Sequence, residues 1–170
     1  DGAAVVAADI NAQGLESLGE QGAYSQPTDV SSEKDVRAMI ERAMDETGRV
    51  DVLFNNAGIA DRHKIENLAD GEFERMVQIH LFGTIYGMRA AIPIMRKQSY
   101  GRIINTISRG AESQMPGGSA YGAAKAGIWV ATRVAATETR DTDILVNALI
   151  PGPTKTAIWG RDMPQMQTPD

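Results

Sequence analysis

The 170-residue sequence contains no cysteine and only two histidines. Without thiols the chain forms no disulfide and offers no thiolate to a metal, and two imidazoles are too few for a His-rich metal site. We therefore predict no metal site. A reducing compartment is compatible with this composition, and we predict a cytoplasmic location.

Positive charge and long apolar runs are also scarce. The 17 Lys and Arg are outnumbered by 22 Asp and Glu, which gives a formal net charge of −5. Binding to nucleic acid or to an anionic membrane normally needs a basic patch, and a membrane-spanning helix needs about 18 or more consecutive apolar residues. The sequence has neither feature, so we expect a soluble protein whose partners include neither nucleic acid nor a membrane.

Short apolar runs instead alternate with helical patterns. Strands are predicted at residues 3–8, 23–26, 50–54, 103–107 and 144–150, and helices at 11–20, 32–48, 70–95 and 120–139. Ser32 and Asp35 resemble a capping box at the second helix. The alternation predicts an α/β fold with a doubly wound parallel sheet in three α/β/α layers, forming a single domain over residues 1–170.

Polar residues follow every predicted strand. They are Asp9, Asp29, the run Asn55-Asn56-Ala57-Gly58, Ser108 and the pair Pro151-Gly152. Each of them singly is explained equally well as a turn or a helix cap. Because ligands of open parallel sheets bind outside the carboxyl ends of the strands, five such clusters at one edge favour a binding site.

Residues 119–127 read SAYGAAKAG and place Tyr121 four residues before Lys125. In a helix both side chains emerge on one face. A nearby ammonium favours the ionised form of a phenol, so such a pair can donate and accept a proton near neutral pH.

An acidic residue at the end of a strand, such as Asp9, can accept hydrogen bonds from the ribose hydroxyls of a dinucleotide and repel a 2′-phosphate. This predicts NAD rather than NADP. The acid normally lies about twenty residues beyond a Gly-rich phosphate loop, and the residues before Asp9 leave no room for that loop. We therefore predict a fold that is incomplete at its N-terminal end.

Together these motifs resemble the short-chain dehydrogenase/reductase family, classical type. They occur in the family's order, and Ser108 stands thirteen residues before Tyr121 as the family pattern requires. The resemblance implies a Rossmann-like fold that continues beyond residue 170, so incompleteness is expected at both ends. A protein of these 170 residues alone is then expected to bind NAD poorly.

The resemblance also implies the roles of individual residues. In the family mechanism hydride passes between NAD(H) and a secondary alcohol or ketone. Ser108 orients the substrate oxygen, Tyr121 is the acid or base, and Lys125 holds the nicotinamide ribose and tunes Tyr121. The residues expected to bind the cofactor are Asp9, Asp29, Val30, Asn56, Ala57, Gly58, Tyr121, Lys125, Pro151, Gly152 and Thr156.

The chain departs from the family pattern at His80, which stands where members usually carry an Asn that supports a water chain to the Lys. His80 either keeps that relay as a fourth catalytic residue or only packs within its helix. His63 is interpreted as a solvated loop residue or a substrate ligand, and Arg109 as a surface charge or an anion contact.

Met115, Ile158, Trp159 and Met163 are expected to border the reactive centre and favour a hydrophobic or cyclic alcohol or ketone. The family's helix pairing implies a homodimer or homotetramer. Two other functions remain open: an NADPH-dependent 3-oxoacyl thioester reductase, against which Asp9 argues, and a catalytically silent dinucleotide-fold binding or scaffold protein.

Overall fold

The strands that the structure describes are short, and they pair in parallel. The computed structural model describes residues 2–112 and 115–152. Its strands are β1 Val6–Asp9, β2 Tyr24–Pro27, β3 Val52–Asn55, β4 Gly101–Thr106 and β5 Ile144–Leu149. β1 pairs with β2, while β3, β4 and β5 form a second sheet in that order. The predicted parallel α/β arrangement is confirmed, with the described strands divided between two sheets.

Within the described residues, five α-helices connect and cover these strands. They are α1 Ala12–Glu20, α2 Glu33–Thr47, α3 Glu72–Val77, α4 Gly83–Gln98 and α5 Ser119–Glu138. Residues Gln78–Phe82 form a π-helical turn between α3 and α4. The helix predicted over residues 70–95 therefore consists of two α-helices joined by a wider turn.

Local sequence explains where α2 begins and ends. Ser32 is its N-cap: the Ser32 hydroxyl accepts a hydrogen bond from the Asp35 N–H and donates one to the Asp35 carboxylate. The predicted capping pair is therefore confirmed. The helix ends at Gly48, whose φ of 72° lies in the left-handed region that only glycine adopts without strain.

The largest core lies between the second sheet and helices α2, α4 and α5. Ile103 at the centre of β4 is fully buried, and Leu53 of β3 is buried beside it. Side chains alternate across a strand, so the neighbours of Leu53 face the other way. Val52 and Phe54 are 57% and 51% exposed, so in the described part of the chain β3 is covered on one face.

Candidate active site

Tyr121 and Lys125 lie one turn apart on α5, as their spacing predicts. The Lys125 Nζ atom is 5.7 Å from the centre of the Tyr121 ring and donates a 2.8 Å hydrogen bond to the carbonyl of Thr106, the last residue of β4. Lys125 is 3% exposed. Burial lowers the pKa of its ammonium to about 8, and no carboxylate forms a salt bridge with it within residues 2–112 and 115–152.

Ser108 follows β4 by two residues and caps a short 3₁₀ turn, Arg109–Ala111. Its Oγ atom accepts a 3.1 Å hydrogen bond from the Gly110 N–H. A Cβ atom on Gly110 would lie 3.0 Å from Cε1 of Tyr121 and 3.4 Å from Oγ of Ser108. Gly110 is thus where the serine and tyrosine approach each other. Gly110 was not predicted as a site residue, because its only signal in the sequence is a glycine two residues after Ser108.

His80 lies in the π-helical turn and is 1% exposed. Its ring meets the Tyr121 ring edge to face, with centroids 5.3 Å apart and planes at 87°. Its Nε2 atom is 2.7 Å from the carbonyl oxygen and 3.1 Å from the nitrogen of Ile59. Burial first, and the charge of Lys125 second, lower the pKa of His80 to about 4 although the Ile59 bond raises it. His80 is therefore a neutral imidazole at neutral pH.

The polar residues after β3 lie beside this group. Asn56 accepts a 3.0 Å hydrogen bond from the hydroxyl of Thr106, the residue whose carbonyl holds Lys125. Asn55 donates a 2.8 Å hydrogen bond to the side chain of Asn105. Gly58, after Ala57, lies directly against the His80 ring. These contacts bring the predicted cofactor loop to the predicted catalytic side chains, through Asn105 and Thr106 of β4, which were not predicted as site residues.

Asp9, Asp29 and Val30 lie at the carboxyl ends of β1 and β2. The Asp9 carboxylate accepts a 2.9 Å hydrogen bond from the Asn11 N–H. The Asp29 carboxylate accepts bonds from the N–H and hydroxyl of Ser31, which lower its pKa. These two carboxylates bond within their own loops and do not contact Tyr121 or Lys125.

Val30, the third of these predicted cofactor residues, reaches the start of α4. A Cβ atom on Gly83 would lie 3.1 Å from the Val30 Cβ. Val30 thereby connects the end of the first sheet to the helix that follows His80.

Pro151 and Gly152 directly follow β5. The N–H of Ile107 donates a 2.9 Å hydrogen bond to the carbonyl of Leu149, so this end of β5 lies beside the segment that leads to Ser108. Thr156, Ile158, Trp159 and Met163, the other residues predicted near the nicotinamide and substrate, lie outside the described residues.

His63 is paired rather than merely solvated. Its Nδ1 atom lies 2.7 Å from a Glu72 carboxylate oxygen and 3.6 Å from one of Asp61, and Glu72 raises the pKa of His63. No metal site was predicted, yet these three side chains bring one potential ligand atom each within 4.8 Å of one another. Glu72 also accepts a bond from the Ala69 N–H. We assign the group the role of fastening this loop to the start of α3. Arg109, in contrast, is exposed.

A cleft of about 450 Å³ opens beside Gly110. Its wall combines the larger apolar residues Ile65 and Met115 with small residues, which are Gly110, Ala111, Gly117, Gly118, Ser119, Gly122, Ala123 and Ala126. Met115 therefore borders the same cleft as Gly110. That this cleft holds the reactive centre stays a prediction.

The sequence matches the family model described as short chain dehydrogenase over residues 1–167. The chain belongs to the short-chain dehydrogenase family. This identifies the fold as Rossmann-like. Among the helices that the structure describes, none has the length and apolar character required to cross a membrane.

Individual relatives agree with the family match. The chain is 34% identical to levodione reductase of Leifsonia aquatica over 168 residues, which cover 94% of this chain and 61% of the relative. It is 33% identical to D-beta-hydroxybutyrate dehydrogenase of Rhizobium meliloti over 138 residues, covering 81% and 54%. A crystal structure of levodione reductase superposes with a TM-score of 0.85 at 34% identity, covering 89% of this chain and 62% of that one. The chain thus spans about three fifths of the length of these relatives.

Proposed function

We propose that this chain is the catalytic part of an oxidoreductase that transfers hydride between NAD(H) and a secondary alcohol or ketone. The observation that carries the proposal is the convergence of Ser108, Tyr121 and the buried Lys125, with Gly110 between the first two. Relatives named levodione reductase, D-beta-hydroxybutyrate dehydrogenase and diacetyl reductase support an alcohol or ketone as the substrate class.

Each side chain has a proton role that its hydrogen bonds allow. Since Ser108 Oγ accepts from Gly110, its own O–H can be donated to the substrate oxygen. The Tyr121 phenol gives a proton to that oxygen during reduction and takes one during oxidation. Lys125 uses one N–H for Thr106 and has two more for ribose hydroxyls.

The site suits a nicotinamide cofactor. Lys125 is a buried cation with no salt bridge in the described chain, which is the environment that a polar ligand can complete. Asn56, Ala57 and Gly58 would line the adenosine side, with Asp29 and Val30 at the adenine. Asp9 would hold the adenosine ribose and disfavour NADP, and Pro151, Gly152 and Thr156 would lie along the nicotinamide. The nicotinamide, when bound, supplies or accepts the hydride.

Two finer properties belong to the same proposal. The apolar side chains of Ile65 and Met115 in the wall of the cleft favour a hydrophobic substrate. Phe82, Val130 and Val134 are exposed by 43%, 61% and 52% and give the π-helical turn and α5 apolar surface for pairing in a homodimer or homotetramer. Light scattering of the full-length protein measures its oligomeric state.

The test is Tyr121→Phe in the full-length protein, assayed by nicotinamide absorbance on a panel of secondary alcohols and ketones. We expect turnover to fall by about 100- to 10,000-fold with NAD binding retained, because only the proton is lost. Tyr100→Phe is the matched control, since Tyr100 stacks on Arg102 away from this site. Full turnover in the Tyr121 variant would reject the proposed function.

A further inference from the structure

His80 has a buried polar atom for which the described chain offers no partner. Its Nε2 atom reaches both backbone groups of Ile59, but its Nδ1 atom is buried without a hydrogen bond. A neutral imidazole carries one N–H, so Nε2 can satisfy only one of the two Ile59 groups at a time. The shorter distance, 2.7 Å to the carbonyl, assigns the proton to Nε2. The ring is therefore held from the side of the cofactor loop.

The His80 ring fits there because residue 58 has no side chain. A Cβ atom on Gly58 would lie 2.3 Å from Cε1 and 2.9 Å from Nδ1 of His80. Gly58 is not among the described residues with a left-handed backbone. Space for the imidazole, rather than an unusual φ, is thus what demands glycine at this position.

The same ring also meets Tyr121. Its edge-to-face contact at 5.3 Å is an arrangement that aromatic rings favour, and it constrains the plane of the phenol. The imidazole therefore contacts both the backbone of the cofactor loop and the side chain proposed to move the proton.

We propose that Gly58 and His80 function as a matched pair, in which His80 is a positioning residue that holds the cofactor loop and the Tyr121 ring in one fixed relation. This inference rests on the proposed function, because it assumes that residues 55–58 contact the dinucleotide. It differs from a proton relay, since His80 acts through its fit against Gly58, its bond to Ile59 and its contact with Tyr121.

A double-mutant cycle on the full-length protein tests the pair. Gly58→Ala and His80→Ala are made singly and together, and NAD affinity and the melting temperature are measured without substrate. We expect Gly58→Ala to weaken NAD binding about tenfold when His80 is present, because the added methyl displaces the ring. In the His80→Ala background the same change should weaken binding about twofold or less, since the three ring atoms it would meet are gone.

The control cycle combines His80→Ala with Gly127→Ala. A Cβ atom at Gly127 would lie 2.9 Å from Leu81 rather than from His80, so the two changes should be additive. His80→Asn keeps an amide for Ile59 and should recover most of the NAD affinity that His80→Ala loses. His80→Ala should also lower kcat.

If Gly58→Ala lowers NAD affinity equally with His80 present and in the His80→Ala background, the proposed pairing is overturned. The positioning role is overturned if His80→Ala lowers the melting temperature but leaves NAD affinity and kcat unchanged. His80 would then contribute only to packing. Because affinity and melting are measured without substrate, the cycle is decided even if the Tyr121→Phe result rejects the proposed reaction.

Discussion

Lys125 combines a full positive charge with nearly complete burial. Its Nζ atom has the Thr106 carbonyl as a partner, but a single neutral acceptor compensates poorly for removing an ammonium from water. The lowering of its pKa to about 8 expresses that cost. The side chain that we propose binds the cofactor ribose therefore lowers the stability of the fold.

Lys125→Met should therefore stabilise the protein at pH 7 while abolishing turnover. The folded pKa of about 8 lies below the ordinary 10.5, so the unfolded chain binds more protons between these values and wild-type stability rises with pH there. We expect a gain of about 1–3 kcal/mol at pH 7 that shrinks toward pH 10, measured by urea unfolding. The exposed Lys97→Met is the control. A variant less stable than wild type at pH 7 would contradict this account.

His80 and His63 should change the free energy of unfolding in opposite directions as pH falls. The pKa of His80 is lowered to about 4 by burial, so the unfolded chain alone takes up this proton between about pH 6.5 and 4, and stability falls as pH falls. His80→Asn should flatten that decline relative to wild type. The Glu72 carboxylate raises the pKa of His63, so the stabilisation that His63 contributes to the fold is present in acid and is lost as pH rises.

His63→Asn should accordingly make the decline in acid steeper. Unfolding free energies of the two variants at pH 7 and pH 5 provide the comparison. If the decline of the unfolding free energy in acid changes in the same direction in both variants, the assigned environments of His80 and His63 are disproved.

At the scale of secondary-structure elements, a line of polar side chains joins β3, β4 and α5. Asn55 donates to Asn105 at 2.8 Å, and Asn105 donates to Thr132 at 2.9 Å. Asn105 is 0% exposed. Buried amides with complete partners fix one arrangement of the elements that carry them, which here sets the cofactor loop relative to the helix with Tyr121.

Asn105→Ala should lower the free energy of unfolding by about 2–4 kcal/mol, because it leaves the Asn55 amide without its acceptor and also creates a cavity. Thr132→Val should have a smaller effect of about 1–2 kcal/mol, since the residue volume is nearly kept while the Asn105 amide loses its acceptor and the Ile128 carbonyl loses the Thr132 hydroxyl. Asn147→Ala, on the exposed side of β5, is the matched control and should stay within about 0.5 kcal/mol of wild type. Denaturant titrations measure all three, and equal losses at positions 105 and 147 would argue against the polar line.

The sequence predicted those elements whose signal is local. The periodicity and Ser32 cap predicted α2, and the Tyr121–Lys125 spacing predicted one helical face. The π-helical turn at His80 was not predicted, because five residues with i→i+5 bonding leave the apolar spacing almost unchanged. The line from Asn55 to Thr132 was missed as well, since its members are separated by 50 and 27 residues and only the folded sheet brings them together.

Across the whole molecule, the proposed cofactor residues are divided between the two sheets. Asp9 ends a strand of the first sheet, whereas Asn56 directly follows β3 of the second sheet, and both Asn56 and Lys125 of α5 bond to Thr106 of β4. A dinucleotide that contacts both would stabilise their relative arrangement by mass action.

NAD should therefore raise the melting temperature of the full-length protein more than NADP at equal concentration. Asp9→Ser should reduce the preference for NAD about tenfold or more, because it removes the charge that repels a 2′-phosphate. Asp45→Ser, the same charge change on α2, should leave the preference as it is. Thermal shift and cofactor titrations measure both, and an unchanged preference in the Asp9 variant would assign the discrimination to other residues.

The π-helical turn also changes how the helix segments on its two sides are oriented. Each residue of an α-helix advances the chain by about 100° around the helix axis. The extra residue in the π-helical turn therefore rotates the side chains of α4 by roughly that angle relative to those of α3. Met76 of α3 thereby packs with Ala120 and Ala124 of α5, while Met88 and Met95 of α4 pack into the core around Ile103. A single-residue deletion between Gln78 and Phe82 would join α3 and α4 into one regular α-helix. It would also turn one of these two packing faces toward water.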